Sequence, residues 1–338
     1  MPIALASVRA NRHSDSVGDG GIARQLRDRW LTQAGAELTV EVVRRLLSGS
    51  GLSDLDLGTV DGRTDLRFLP SLNLPDLDEP GRWQAFRDVE LSHLDFTGAT
   101  LPGVRFHGVR IVDCVFRDAS CPDWRMWSSQ VSDCDFAGAS LRESALGTWQ
   151  EGKSNDWVGV GLRRADLRGC FWKGSLIDRC DFSNSRLEKA SFEQCDLRGT
   201  RFTGSIKRVT FDERPLPDRP PPRPAIEVDF TGAVFSDVEF RGVTLERATL
   251  PDDADLLLIR NYGAVVRQAL GLLAGDESLP ARMLRAQFEN NLRMMRADRE
   301  DAVLNRRDFL RSGGDQLADL AQQVLGEAQR LATLADPK

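Results

Sequence analysis

The sequence predicts a mainly β protein whose middle is wound into a four-sided coil of parallel strands, with helical regions at both ends. Three observations lead to that class. Apolar residues recur every fifth position from Phe86 to Leu146, again from Trp157 to Phe202, and again from Phe230 to Leu250. A second column, two residues ahead of the first, is small or β-branched: Val104, Val109, Cys114 and Ala119, and later Ala165, Cys170, Ser175 and Cys180. Beyond residue 250 the period changes from five to the three-to-four spacing of helices.

A period of five fits neither a helix at 3.6 nor a strand at 2. It fits a chain that turns a corner every five residues, with one large and one small side chain of each unit pointing inward. Four such sides close a square, and successive coils pair backbone to backbone about 4.8 Å apart. Residues 20 apart then stack, as Cys114 and Cys134 do in register. A large side chain at each inner position needs a small neighbour for the interior to close at native density. Gln84, Leu94, Trp124 and Asn155 depart from the small column. Asp95, Asp135, Asp166, Asp181, Asp196 and Asp229 recur just before the large residue, and each is expected to bond backbone at a corner.

The flanks follow. Residues 1–20 are polar and Gly-rich and are expected to be mobile. Residues 22–34 place Ile22, Leu26, Trp30 and Leu31 near one helical face, with Gly35 as a stop. Thr39 caps a second short helix, 40–48, that ends at Gly49. Residues 52–79 alternate Leu with Asp and read as an irregular lead-in. The domains are therefore 1–80, an N-terminal helical cap; 81–250, the coil, interrupted at 147–156 and 207–227; and 251–338, a C-terminal helical region.

The first interruption, where the phase slips by one, is read either as a single-residue bulge or as a protruding loop that exposes Trp149 as an anchor for a partner. In the second, the prolines of 215–224 predict extended chain outside the coil, a stiff solvent loop or, through PPPRP, a docking segment. In the C-terminal region one helix is expected to end at Gly275. A longer one spans 279–311, with Met283, Leu284, Phe288, Leu292, Met295 and Leu304 along it, and a last one spans 315–335. Leu317, Leu320, Val324 and Leu331 make a stripe on the last helix. Two readings stay open for it: packing over the open end of the coil, or a homodimer or partner seam.

The units ADLRG (165–169), CDFSN (180–184), ASFEQ (190–194), CDLRG (195–199) and GATLPG (98–103) resemble the A-(D/N)-L-x-x motif of the pentapeptide-repeat family. The resemblance covers residues 86–206 and 226–250. It implies a right-handed, four-sided parallel β-helix. It also implies a candidate activity, protection of DNA gyrase and topoisomerase IV from inhibitors by members that imitate duplex DNA in size and negative charge.

Composition bounds the function. The net charge is −6, with no polycationic stretch to neutralise phosphates, so direct nucleic-acid binding is not expected. No run is apolar and long enough to span a membrane. The start lacks the pattern of a signal peptide, which predicts a cytoplasmic protein. Five of the six cysteines fall in the small column and Cys121 in the large one, with no CxxC pair, so they read as buried small residues and not as metal ligands. His13, His93 and His107 do not cluster at metal-ligand spacing. No cofactor, metal site or catalytic constellation is expected. Acids and bases balance over 86–207, whereas a DNA mimic needs a strongly negative field. The favoured reading is a non-catalytic interaction scaffold for a protein partner. The alternative is a DNA-mimicking modulator of gyrase or topoisomerase IV.

Overall fold

The computed structural model describes residues 16–72, 85–150, 152–215, 226–294 and 300–335. A left-handed residue at every corner builds its middle. Each fifth residue from Asp88 through His93, Gly98, Gly103, Gly108, Asp113 and Asp118 to Glu143 has a positive φ. Only glycine takes that conformation freely, and Asn and Asp tolerate it best among the others, which is why they crowd the position two after each large apolar residue.

Between corners lie short strands whose middle residue points inward. Each pairs in parallel with the strand one coil on: Phe86 with Phe106, Phe106 with Met126, Leu91 with Ile111, and Ile111 with Val131. One face is a seven-stranded sheet from Glu90–Ser92 to Glu227–Asp229. The adjoining face has three strands from Ala85–Arg87 to Arg125–Trp127 and four from Phe171–Lys173 to Glu239–Arg241, joined through bridges at Ala145. The other two faces are held mainly by single bridges, such as Asp95 to Val115 and Thr100 to Ser120.

The large column is buried throughout, with only Leu250 partly so. Its aromatics stack coil upon coil: Phe96, Phe116 and Phe136 at 5.0 and 4.5 Å, and Trp172, Phe192, Phe211 and Phe240 at 4.8, 5.2 and 5.2 Å. The small column also has a polar task. Cys170 donates to the Leu141 carbonyl at 2.9 Å, Thr200 to Ile177 at 3.0 Å and Cys114 to Leu91 at 3.4 Å. Each thus satisfies a main-chain acceptor one coil away. Trp124 fits its small position because the preceding large position holds Cys121, and its Nε1 donates to the Leu101 carbonyl at 2.6 Å.

Both interruptions differ from expectation. Val131 pairs with Trp157, so that coil carries six extra residues and not one. The surplus leaves between Leu146 and Trp157 as a loop closed by an antiparallel bridge from Gln150 to Lys153. Buried Asn155 plugs its neck, with Nδ2 donating to the Met126 carbonyl at 2.8 Å and Oδ1 accepting from Ser129 N at 2.8 Å. The second break opens later than residue 207. One residue is missing between Phe202 and Ile206, after which Ile206 and Phe211 continue the column and pair with Phe235 and Phe240. Residues 216–225, with the PPPRP segment, lie outside the described residues.

The coil also begins before residue 81. Asp65 pairs with Asp95, and Leu66, Leu69 and Leu72 are buried in the same core. Helix α1, Ser16–Leu31, and α2, Gln33–Ser48, close this end. The cap of α2 is Thr32, whose hydroxyl accepts from Gly35 N at 2.9 Å. Gly35 is therefore not a stop, and Thr39 lies inside the helix, donating to the Gly35 carbonyl. Of the apolar face expected on 22–34, Trp30 is buried, while Ile22 and Leu31 are exposed. Val42, Val43 and Leu46 pack into the coil core. Trp30 Nε1 donates to the Arg67 carbonyl at 2.8 Å, and Arg29 reaches the Asp65 carboxylate at 3.0 Å. Burial pushes the Asp65 carboxyl up, but Arg67 and Arg29 outweigh it and hold it below the usual range. The mobile segment expected over 1–20 falls outside the described residues up to 15, and α1 begins at Ser16.

The C-terminal region has a core of its own. Strand Leu256–Ile259 pairs antiparallel with Ala302–Asn305. Helices α3, Tyr262–Leu272, α4, Leu279–Met294, and α5, Arg306–Ala335, pack around Val266, Leu284, Phe288, Leu317, Ala321 and Leu325. The expected helix over 279–311 is broken: it stops at Met294, Leu304 lies on a strand, and Met295 is outside the described residues. A kink at Gly313 and Gly314 divides α5. The region covers the far end of the coil through polar contacts. Asp301 N donates to the Val243 carbonyl at 2.8 Å, Leu245 N to Asp301 Oδ2 at 2.9 Å, Gly242 N to Glu300 Oε2 at 2.6 Å, and Asp237 N to Asp308 Oδ2 at 3.1 Å.

Three expected outcomes test this architecture. Phe182→Ala or Phe192→Ala leaves a cavity among stacked rings and costs about 3–5 kcal/mol in denaturant unfolding, and a loss below about 1 kcal/mol contradicts burial there. Arg164 holds a corner at φ 58°; Arg164→Gly raises stability by about 0.5–1 kcal/mol, and a loss contradicts the corner argument. Burial, first of all, raises the carboxyl pKa of both Glu300 and Asp308. The folded joint thus binds more protons than the unfolded chain between the ordinary and the raised values. It is firmest below the ordinary carboxyl range and loosens as pH climbs through the raised values. Amide exchange at Gly242, whose N–H bonds Glu300, corrected for intrinsic rates, slows as pH falls through the raised values. Glu300→Gln weakens that dependence, and an unchanged slope in the variant contradicts it.

Candidate interaction surface

On every strand the residues on either side of the inward one face outward, so the faces are written in the sequence. On the seven-stranded face the acids stand beside arginines: Glu90 with Arg110 at 3.1 Å, Asp178 with Arg179 at 2.5 Å, Glu227 with Arg247 at 2.7 Å, and Asp196 with Arg198. On the next face Asp95, Asp135, Asp181 and Asp229 accept from the backbone N–H two residues on, at 2.8 to 2.9 Å. That is the corner role expected of them. Asp166 does the same more weakly at 3.4 Å, and Asp196 bonds the Arg198 side chain instead.

Arg117 and Arg163 lie against Asp135 and Asp181 at 2.7 and 3.5 Å, and Arg168 and Arg186 against Asp166 at 2.6 and 3.5 Å. The Arg63 guanidinium beside Asp113 holds its carboxyl below the usual range. Exposed pairs of this kind add little stability. Their effect is on the field, since the carboxylates so paired, such as Glu90, Asp135, Asp166 and Asp196, are matched before they can join their neighbours into an acidic ribbon.

The face starting at Ala85–Arg87 carries the exception. The His107 ring lies flat on Trp127, centroids 4.4 Å apart and planes within 5°. Burial, with Arg87 next in the column, pushes the His107 pKa down, so the ring is neutral at neutral pH. Both rings are half-buried. The six-residue loop leaves the coil on this same face, where Thr148 donates to the Met126 carbonyl at 2.8 Å. Trp149 is the next residue; it is half-buried, not fully exposed as expected. Sequence reading placed His107 at the surface but missed the stack. The signal was present, because His107 and Trp127 are 20 residues apart at one outward position. His93 lies at a corner with its Nδ1 2.8 Å from Asp113 Oδ2.

The C-terminal stripe faces the core of its own domain. Leu317 and Val324 are buried in the domain's own core, Leu320 packs partly against it, and only Leu331 is exposed, at 38%. A dimer through all four residues would require the domain to unpack. The six cysteines are buried and form no disulfide among the described residues. Burial raises the Cys170 and Cys180 thiols to about 12, so neither is an available nucleophile. Among the described residues no group of three His, Cys, Asp or Glu is placed to hold a metal ion. No described helix is long and apolar enough to cross a membrane.

The chain matches the family described as Pentapeptide repeats in eight copies, over residues 85–118 and 162–204. Among solved structures it is similar to HetL, a pentapeptide-repeat protein involved in heterocyst differentiation regulation from the cyanobacterium Nostoc sp. strain PCC 7120. The identity is 14% and the TM-score 0.29, covering 63% of this chain and 96% of that one. It is also similar to Rfr23 from the cyanobacterium Cyanothece 51142, at 11% identity and TM-score 0.23, covering 35% and 86%. Full-length QnrB1, a plasmid-mediated fluoroquinolone resistance protein, matches at 17% identity and TM-score 0.22, covering 56% and 92%. No curated protein matches the chain. With corners at every fifth residue and parallel coils, the chain carries the family's pentapeptide repeats over residues 85–118 and 162–204.

Proposed function

We propose that this chain is a non-catalytic protein-interaction scaffold of the cytoplasm, which presents the face around His107, Trp127 and Trp149 to a protein partner. The stack of His107 on Trp127 beside the Trp149 loop carries the reading. Aromatic side chains on a rigid support, set in a charge-balanced surface, are the groups that dominate binding energy at protein interfaces. Buried cysteine thiols suit a reducing compartment. The DNA-mimic alternative needs acids that reinforce one another along a face, and the arginines beside them oppose that.

Capture by the full-length chain from its native host, followed by binding to the purified partner, tests the proposal. Trp127→Ala and Trp149→Ala each weaken binding about tenfold or more. Undiminished binding by both variants contradicts it. A gyrase supercoiling assay with and without a fluoroquinolone shows no effect of the chain, whereas relief of inhibition replaces the scaffold reading with the DNA-mimic one.

A further inference from the structure

The last strand of the coil, Glu239–Arg241, is the outer edge of its four-stranded sheet. Glu239 N donates to the Val209 carbonyl, and the Arg241 carbonyl accepts from Glu213 N, so residues 239 and 241 turn their main chain toward the preceding coil. Alternation then turns the Phe240 N–H and C=O, and the Val238 C=O, the other way, where the next coil would have paired. Among the described residues no next coil follows on this face. Of the groups a further strand would have engaged, Gly242 N is taken by the Glu300 carboxylate at 2.6 Å.

The free edge opens into a cleft of about 350 Å³ between Glu239–Arg241, strand Ala302–Asn305 and α4. Its far wall carries Gln287, Asn290 and Asn291, three carboxamides on one side of α4. Tyr262 stands at its base. Its hydroxyl accepts from Asn291 Nδ2 at 2.7 Å and keeps its own proton to donate.

We propose that this cleft binds an extended peptide segment of a protein partner by strand addition. The segment's N–H groups donate to the Val238 and Phe240 carbonyls, and one of its carbonyls accepts from Phe240 N. A row of main-chain groups is matched by another main chain in extended form. Carboxamides, which donate and accept at once, suit the peptide's opposite edge. The free edge spans about three residues of strand. This deepens the scaffold proposal by naming what the partner presents, at a surface separate from the Trp127 face.

The test uses the full-length chain to select from a displayed library of random peptides of about nine residues. Selected peptides bind the unaltered chain and slow exchange of the Phe240 amide. They lose about tenfold or more in affinity on Asn290→Trp and on Gln287→Trp, exposed positions where the bulk fills the cleft while the melting temperature stays unchanged. N-methylation of the peptide at the amides facing Val238 and Phe240 abolishes binding, and N-methylation one residue along does not. Failure to select any peptide, selected peptides indifferent to both variants, or an unprotected Phe240 amide overturns the inference. The Trp127 and Trp149 variants are measured against the captured partner, so the scaffold proposal stands or falls separately.

Discussion

One constraint governs this molecule: a left-handed residue at every fifth position turns the chain through a corner before a strand can lengthen. The turn leaves one large side chain per unit inside and keeps each strand short. What holds the coils together is the register that follows. A fixed number of residues per coil brings Phe96 over Phe116 and Phe116 over Phe136, and it sets thiols and hydroxyls of the small column under carbonyls one coil away. Where the count changes, the structure spends side chains on repair. Asn155 bonds three main-chain groups at the neck of the six-residue loop, and Trp124 fills the space left by Cys121.

A coil of this kind has two open ends, and both are closed by polar contacts as well as apolar ones. At the start, Arg29 and Trp30 bond the main chain of the first coil. At the finish, Glu300, Asp301 and Asp308 take the place of the missing strand at Gly242, Leu245 and Asp237. Among the described residues the closure is incomplete at Phe240, and there the edge meets a cleft large enough for another chain. The outward faces show the complementary economy: arginines sit beside the recurring acids, which leaves the half-buried aromatics of one face as its distinctive feature.

Much of the fold is legible in the sequence because periodicity reads directly on burial. What it misses has specific causes. Periodicity reports only a remainder, so the spacing of eleven from Leu146 to Trp157 looks like one extra residue when it holds six. The same arithmetic hides Ile206 and Phe211 behind a single deletion. Strand Ala302–Asn305 is four residues of AVLN, too short for any period to distinguish it from helix. The spacing of Leu317 and Val324 leaves both an end-cap and a seam open, because an internal helix packing and an intermolecular one use the same spacing. Thr39 and Thr32 are equally good caps on paper, and the contact of Trp30 with the first coil selects Thr32. The His107–Trp127 stack was readable as two residues in one outward column, but the cleft at Phe240 was not, since it is made of backbone left unpaired where the repeat ends.

Hydrogen exchange resolved by residue is the most direct measurement of the central claim, because the coil exists only as main-chain bonds between units. The account predicts slow exchange at Phe116, Phe136, Leu162 and Phe182, whose amides bond the carbonyls of Asp135, Gly161, Asp181 and Arg201, and their opening together as one unit. Fast exchange at these amides, or protection in the i-to-i−4 pattern of a helix, would contradict it.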